Sequence, residues 1–200
     1  FVSCMKDNNI KWFATVTTVT EAKEAEQSGA DVIIAQGMEA GGHRGSFIAD
    51  NADEKMIGLF SLIPAVVDAV KVPVIAAGGI ADGRGMSAAL LLGASAVQIG
   101  TGFFRSPEAK LPEVWSKQLD NSLPEDTIAT RAFSGRLGRS LRTKYAEAAN
   151  SKDAPSPAPY PIQRYLTQEM RTNAIKSNTL EGMQAWAGQS AKLALKLSAS

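Results

Sequence analysis

The chain is poor in the residues that build disulfides and metal sites, because its 200 residues include one cysteine and one histidine. Cys4 has no partner cysteine, which excludes an internal disulfide and a cysteine-based metal site and favours a reducing compartment. Net charge is also lacking, since 21 basic and 20 acidic residues leave a balance of +1. This balance gives no electrostatic reason to expect binding to nucleic acid or to an anionic membrane. We therefore expect a cytoplasmic protein.

The chain also lacks an uninterrupted apolar run of the length that a membrane span needs. Residues 86–104 carry no charge, but Gly93, Gly100 and Gly102 interrupt them, so that they predict a helix, a turn and a strand. The hydrophobic content of 44% over 200 residues is enough for one substantial core. A single globular domain that does not enter a membrane is the expectation.

Short apolar segments alternate with helical segments through the first hundred residues. Strands are predicted at 12–16, 31–35, 74–77 and 95–99, and helices at 20–28, with Thr20 as N-cap, 59–70 and 84–92. Each strand segment is almost continuously apolar, which is typical of a parallel sheet covered by helices on its faces. The pattern therefore predicts an α/β fold with about four βα units.

A glycine-rich loop follows the second predicted strand and holds the only histidine, His43. Residues 36–45 read Gln-Gly-Met-Glu-Ala-Gly-Gly-His-Arg-Gly. Glycine lets the backbone approach a flat or phosphorylated ligand, and an imidazole can act as a base or as a charged donor near neutral pH. A histidine that merely pairs with a backbone carbonyl is the simpler interpretation, but the strand-end position and the glycines favour a functional role. Arg44 is expected to be structural, in an ion pair with a residue such as Glu39.

Two further glycine turns end the third and fourth predicted strands. Residues 73–83 read Pro-Val-Ile-Ala-Ala-Gly-Gly-Ile-Ala-Asp-Gly, and residues 98–103 read Gln-Ile-Gly-Thr-Gly-Phe. Backbone N–H groups and a helix N-terminus at such turns bind phosphate without a lysine, and a (β/α)8 barrel has its phosphate site after its last two strands. Residues 83–88 also fit the Gly-x-Gly-x-x-Ala dinucleotide motif, but the next strand ends without the acidic residue that holds a ribose. The turns therefore favour a barrel.

The second half of the chain has a different composition. Residues 127–133 predict an extended segment, 151–161 a proline-rich loop, and 162–176 and 180–197 two helices with no further strand. Between them, residues 135–144 carry four cations, for which a solvated loop and helix face and an anion-steering role both stay open. We therefore predict half of a (β/α)8 barrel with ligand-binding loops over 1–120. The basic loop, the proline-rich segment and the C-terminal helices, 121–200, are expected to pack on it.

The strand count bears on completeness. Four parallel strands form either a small open sheet or half of an eight-stranded barrel, and the phosphate turns favour the barrel. The first residue is Phe1 rather than methionine, and a strand follows shortly after it. We expect the chain to be the C-terminal part of a longer protein whose N-terminal barrel half lies upstream. Open sheet edges would let the isolated chain form a homodimer.

Several segments, in their order and spacing, resemble the nitronate monooxygenase family, formerly called 2-nitropropane dioxygenases. They are residues 35–45, 73–82 and 98–101, with further similarity at 130–141 and 186–192, so that the resemblance spans essentially the whole chain. Members of this family are FMN-dependent TIM barrels that oxidise alkyl nitronates with O₂ and without a metal. The resemblance implies a small nitronate and O₂ as partners in the reaction. It also implies that His43 is the catalytic base and that FMN contacts Gln36, Gly41, Gly79, Gln98, Ile99, Gly100 and Thr101.

Two alternatives stay open. One is a related FMN barrel that reduces an enoyl thioester or a quinone with NAD(P)H, since some enoyl-carrier-protein reductases share the Glu-x-Gly-Gly-His stem but differ at the position of Arg44. The other is a truncated half-barrel that binds phosphate-bearing ligands, or assembles with a partner, without catalysis. NADH consumption separates the first alternative from nitronate oxidation, and flavin content separates both enzymes from the second.

Overall fold

The computed structural model describes residues 2–199, which form two compact units. One unit contains the residues up to Glu39 together with Gly45–Ile99, and the other contains Ala40–Arg44 together with the residues from Gly100 onward. Within residues 2–199, no helix has the length and apolar character that crossing a membrane requires. The functional division at residue 120 that we predicted stays a prediction.

The described residues contain eight α-helices and seven strands. In chain order these are α1 (Val2–Asp7), β1 (Phe13–Val16), α2 (Val19–Gln27), β2 (Val32–Gln36), β3 (Gly42–His43), α3 (Leu59–Val67), β4 (Val74–Ala77), α4 (Gly83–Leu91), β5 (Ala96–Gln98), α5 (Glu113–Asn121), β6 (Thr127–Thr130), β7 (Gly138–Leu141), α6 (Lys144–Ala149), α7 (Ile162–Leu166) and α8 (Gln168–Lys176).

The first unit is built on a parallel sheet of four strands in the order β1-β2-β4-β5, with α2, α3 and α4 as the connections. Val16, Ile33, Leu62 and Val66 are fully buried in its core. Apolar side chains on both faces of the strands require helices on both faces, which explains the crossover connections. The predicted α/β fold with a parallel sheet is confirmed, and all four predicted strands lie within two residues of their observed bounds.

The start of α2 corrects one prediction. Thr20 lies inside the helix, and Thr18 is the N-cap, because its side chain accepts a hydrogen bond of 3.1 Å from the amide of Glu21. The carboxylate of Glu21 in turn accepts hydrogen bonds from the amide and hydroxyl of Thr17. An N-cap accepts from an amide two or three positions later, and Thr18 with Glu21 satisfies that spacing.

Several large apolar side chains of the first unit are exposed, most of all those of Phe60 and Leu91. Phe60 on α3 is 72% exposed and Leu91 on α4 is 89% exposed. The strands β1 and β5 are the outer strands of the sheet among the described residues, and each leaves one edge without a neighbour. Exposed apolar groups and open strand edges favour contact with further protein.

The second unit contains an antiparallel sheet in the order β3-β7-β6, and β7 is a strand that the sequence did not predict. All four residues of β7 are buried, including Arg139, which is 9% exposed and donates a hydrogen bond of 2.9 Å to the hydroxyl of Thr127. Arg142 donates to the carbonyl oxygens of Glu125 and Thr127. For the cations of this segment a solvated face and an anion-steering role were both open: Arg139 is buried and bonds within the sheet, whereas Arg142 is exposed.

The C-terminal segments differ most from the prediction. The predicted helix at 162–176 is confirmed as two helices, α7 and α8, separated by Thr167, but the predicted helix at 180–197 is wrong. Leu180–Gly182 and Ala191–Leu193 are single 3₁₀ turns, and Trp186 between them pairs with Ser140 of β7 as an isolated bridge. The alanines of this segment are fully buried beside Leu141. Tertiary packing of small side chains has therefore overridden their helix propensity.

Candidate functional site

The carboxyl ends of the parallel strands place several predicted site residues along one edge of the first unit. Gln36, the last residue of β2, is opposite Ala77 of β4, which is opposite Gln98 of β5. Two strand spacings, about 10 Å, therefore separate the two glutamines. Gly79 follows two residues after Ala77, and Ile99 follows Gln98 directly. This is the edge at which open α/β sheets bind their ligands.

The turn after β4 requires glycine. Gly79 has a φ of +68°, and a Cβ there would lie 3.1 Å from the Cβ of Glu39. The turn continues to Asp82, whose carboxylate accepts hydrogen bonds from the amides of Arg84 and Gly85 at 3.0 and 3.2 Å. Asp82 therefore caps α4 itself and occupies the amides of Arg84 and Gly85, while the expectation that this turn binds a phosphate stays a prediction.

Two side chains hold the ends of the glycine-rich loop in the first unit. The Oε1 atom of Gln36 accepts a hydrogen bond of 2.8 Å from the amide of Gly45. The carboxylate of Glu39 accepts from the amide of Leu59 at 2.9 and 3.0 Å, and so caps α3, whose own N-cap residue is Gly58. These contacts fix where the loop leaves and re-enters the unit.

His43 lies in the second unit, on β3, among a hydroxyl and two aromatic rings. Its Nε2 atom is 2.7 Å from the Oγ atom of Ser134. The imidazole packs edge-on against Trp186, with 5.0 Å between ring centroids, and against Tyr160, at 6.2 Å. Side chains therefore hold the ring on several sides, which is more than the pairing with a backbone carbonyl that was the simpler interpretation.

The surroundings of His43 favour the neutral imidazole. Partial burial is the main cause that lowers the pKa of His43 below its ordinary value of 6.5, and the positive charges of Arg136 and Arg164 lower it further. An imidazole that is neutral at physiological pH can accept a proton from a substrate, and acquires a charge when it does so. The electrostatics therefore suit a general base.

Two more predicted residues contact the segment that follows Trp186. A Cβ on Gly41 would lie 2.5 Å from the amide nitrogen of Gly188 and 2.6 Å from the carbonyl carbon of Ala187. The hydroxyl of Thr101 accepts a hydrogen bond of 3.0 Å from the same Gly188 amide. The second unit thus brings Gly41, His43 and Thr101 together around residues 186–188.

Neighbouring glycines of the loop differ in what surrounds them. The sequence suggested that Gly41 and Gly42 both leave space for a ligand. The space beside Gly41 is filled by backbone of the second unit, whereas a Cβ on Gly42, which has a φ of +83°, would meet nothing within 4 Å. A Cβ on Gly100, the residue before Thr101, would also meet nothing within 4 Å. Gly42 and Gly100 therefore present open space, whereas Gly41 does not.

Arg44 is buried, with 4% of its surface exposed, and the amide of the same residue donates to the carbonyl oxygen of Leu137 at 2.9 Å. The burial agrees with the structural role that we expected, while its pairing with Glu39 stays a prediction. Among residues 2–199, no group of three or more His, Cys, Asp or Glu side chains is arranged to hold a metal ion.

Sequence reasoning missed the residues that surround His43, namely Ser134, Tyr160 and Trp186. Ser134 is 91 residues from His43 in sequence, and no local pattern predicts a contact over that distance. The available signal was the similarity of residues 130–141 and 186–192 to a family, which includes Ser134 and Trp186. Tyr160 lies in the proline-rich loop, where composition gave no reason to expect a ring near the histidine.

Comparison with known families and sequences shows what the chain resembles. A family model described as nitronate monooxygenase matches residues 2–200. A probable nitronate monooxygenase of Staphylococcus aureus strain Newman is 44% identical over 193 residues, which cover 96% of this chain and 54% of that protein. The corresponding protein of strain JH9 is 44% identical over 190 residues, which cover 95% of this chain and 53% of that protein.

Solved structures give a similar result. The nitroalkane oxidase from Streptomyces ansochromogenes matches with a TM-score of 0.92 and 38% identity, covering 98% of this chain and 56% of that one. FabK from Thermotoga maritima matches with a TM-score of 0.77 and 36% identity, covering 97% of this chain and 58% of that one. The chain therefore spans about half the length of the curated relatives it matches and slightly more of these solved chains.

Proposed function

Because the chain belongs to the nitronate monooxygenase family, as its motifs predicted, we propose that it is part of an FMN-dependent enzyme that oxidises alkyl nitronates with O₂. The observation that carries this proposal is the environment of His43. Its imidazole is half-buried, hydrogen-bonded to Ser134 and packed against Trp186, and its pKa is lowered by burial. These are the properties of a base that works near neutral pH.

The residues that we assign to FMN fit its chemistry. They are Gln36, Gly41, Gly79, Gln98, Ile99, Gly100 and Thr101. The carboxamides can both donate and accept hydrogen bonds, which suits a flavin ring edge and ribityl hydroxyls. The open space at Gly100 and the left-handed backbone at Gly79 let main-chain N–H groups approach a phosphate. The hydroxyl of Thr101 accepts from Gly188 and keeps its own proton for donation.

We assign the proton transfer to His43. Neutral His43 takes the α-proton of a nitroalkane: the C–H bond breaks, an N–H bond forms, and the electron pair moves onto the nitro group as a nitronate. Charged His43 then donates a hydrogen bond to a nitronate oxygen. The rings of Trp186 and Tyr160 pack against the imidazole, and we assign to them the apolar surface that an alkyl substituent contacts. When bound, FMN supplies the electron transfer between the nitronate and O₂.

The proposal is tested on the full-length protein. We expect it to purify yellow, to release FMN rather than FAD on denaturation, and to consume O₂ with a preformed alkyl nitronate without NADH. Release of FAD, or a folded protein without flavin, would contradict the cofactor assignment. NADH-dependent reduction of an enoyl thioester or a quinone, without O₂ uptake on nitronates, would instead support the alternative reductase.

A further inference from the structure

Ser134 contacts His43 through a buried hydroxyl, and in the proposed function this contact orients the catalytic base. We propose that Ser134 is a positioning residue that holds His43 in the tautomer with its proton on Nε2, so that the basic lone pair is on Nδ1. This inference rests on the assignment of His43 as the base and adds which ring nitrogen takes the proton.

The hydrogen-bonding capacity of the hydroxyl favours this tautomer. The Oγ atom of Ser134 is 2.7 Å from Nε2 of His43, and 3.3 Å from both the amide nitrogen and the carbonyl oxygen of Arg136. A hydroxyl donates once and accepts twice. All three contacts are satisfied only if Ser134 donates to the Arg136 carbonyl and accepts from the Arg136 amide and from an Nε2–H group. The other tautomer would direct the hydroxyl proton to Nε2 and leave two oxygen atoms facing each other without a proton.

The loop that carries Ser134 is fixed well enough to orient another side chain. Ser134 is 1% exposed. The hydroxyl of Thr167 donates to the carbonyl oxygen of Phe133 at 2.6 Å, and the amide of Gly135 donates to the carbonyl oxygen of Arg131 at 2.8 Å. Gly135 has a φ of +83°, and a Cβ there would lie 2.2 Å from the carbonyl oxygen of Ala158. The serine is therefore held by its neighbours rather than by the histidine.

The same contact serves both charge states of the ring. When Nδ1 takes a proton, the Nε2–H group continues to donate to Ser134, so that the ring need not turn. Two cations, Arg136 and Arg164, and the phenol of Tyr160 also face the ring. The cations oppose the imidazolium, which makes a neutral acceptor on the Nε2 side more favourable than an additional donor. Loss of the hydroxyl is expected to free the ring and to mix its tautomers.

The test combines a spectrum with kinetics on the full-length, flavin-loaded protein. Nitrogen-15 NMR of histidine-labelled protein, at a pH where His43 is neutral, distinguishes protonated from unprotonated ring nitrogens, and a His43→Asn spectrum identifies the resonances. We expect a protonated Nε2 in the unmodified protein and a tautomer mixture in Ser134→Ala. The kcat of Ser134→Ala for a neutral nitroalkane should fall on the order of tenfold, the effect of losing one hydrogen bond. Its turnover of the matching preformed nitronate should change little.

Ser122→Ala is the matched control. Ser122 is also fully buried, and its hydroxyl donates to the carbonyl oxygen of Gln118 at 2.7 Å, so this variant loses a comparable hydrogen bond away from His43. We expect it to keep the tautomer and the kinetics of the unmodified protein. A proton on Nδ1 in the unmodified protein, or a Ser134→Ala spectrum unchanged from it, would overturn the inference even if the enzyme oxidises nitronates. Absence of nitronate oxidation would instead contradict the proposed function.

Discussion

The two adjacent glycines before His43 give a sharp prediction about what each one does. Gly41→Ala should destabilise the protein more than Gly42→Ala, although both replace a loop glycine with the same side chain. A Cβ at residue 41 would lie 2.5 Å from the amide nitrogen of Gly188, which is a backbone atom and cannot move away by a side-chain rotation. A Cβ at residue 42 would have no neighbour within 4 Å and would meet only the cost of a positive φ.

The structure sets the size of the difference. Forcing an extra methyl into a packed region costs about 1–3 kcal/mol. Displacing Gly188 would also weaken its hydrogen bond to Thr101, which contributes about 1 kcal/mol. We therefore expect Gly41→Ala to lower the free energy of unfolding by about 2–4 kcal/mol. Left-handed backbone at an alanine costs about 1–2 kcal/mol, which is the expectation for Gly42→Ala.

Urea unfolding of both variants and of the unmodified full-length protein, followed by circular dichroism, measures the two losses. The unfolding slopes should agree, so that shifted midpoints report stability. A loss for Gly42→Ala that equals or exceeds the loss for Gly41→Ala would refute the packing of residue 41 against residues 187–188.

Three further predictions concern charge, capping and exposed surface. The kcat/KM for a neutral nitroalkane should fall as the pH drops through the pKa of His43, because only the neutral ring accepts a proton. Burial lowers this pKa below 6.5, so the midpoint of the pH–rate profile should also lie below 6.5. A midpoint above 6.5 would contradict the described environment of His43. Glu39→Ala should lower the free energy of unfolding in urea by about 1 kcal/mol, because α3 loses its cap. The control Glu54→Ala, at an exposed position, should change it by less than about 0.5 kcal/mol, and equal losses in the two variants would argue against the cap. The 200-residue chain alone should self-associate through its open strand edges and through exposed residues such as Phe60 and Leu91. Light scattering that shows a monodisperse monomer would contradict this prediction.

Strong local patterns predicted the first unit well. Each of its four strands is a short apolar run bounded by glycine, proline or a polar turn. Parallel strands that are buried on both faces usually have this sequence pattern. The α2 boundary was wrong because Thr18 and Thr20 are equally good caps by residue type. Thr18 stands three residues before Glu21, which is the spacing of a capping box, whereas Thr20 stands three residues before Lys23. This local spacing favours Thr18, and residue type alone does not include it.

The second unit was predicted less well because its structure depends on contacts between distant residues. Residues 138–141 form a buried strand although two of them are Arg139 and Ser140. Arg139 donates to the hydroxyl of Thr127 on β6, and the hydroxyl of Ser140 donates to the carbonyl oxygen of Leu141. The segment around Trp186 has the composition of a helix, yet it packs in a mostly irregular conformation beside β7. No local pattern encodes either result.

The residues of the candidate site also differ in whether the sequence indicates them. His43 could be found from the sequence, because the glycines and the strand end mark it within a few residues. Its partner Ser134 could not, because a hydrogen bond over 91 residues depends on the fold of the loop after β6. The residues assigned to FMN followed from a family resemblance, and their contacts with the cofactor stay a proposal.

The most direct test of the central claim is the rate of His43→Asn on a nitroalkane in its two protonation forms, measured as kcat/KM in the full-length enzyme with FMN content determined for each sample. General-base catalysis contributes about 10²–10⁴-fold to a rate. If His43 is the base, the variant should lose a factor in that range on the neutral nitroalkane, and much less on the preformed nitronate, which has already lost its proton, with FMN retained. Equal losses on both forms would show that His43 binds the anion rather than removing the proton, and unchanged rates on both would remove it from the mechanism.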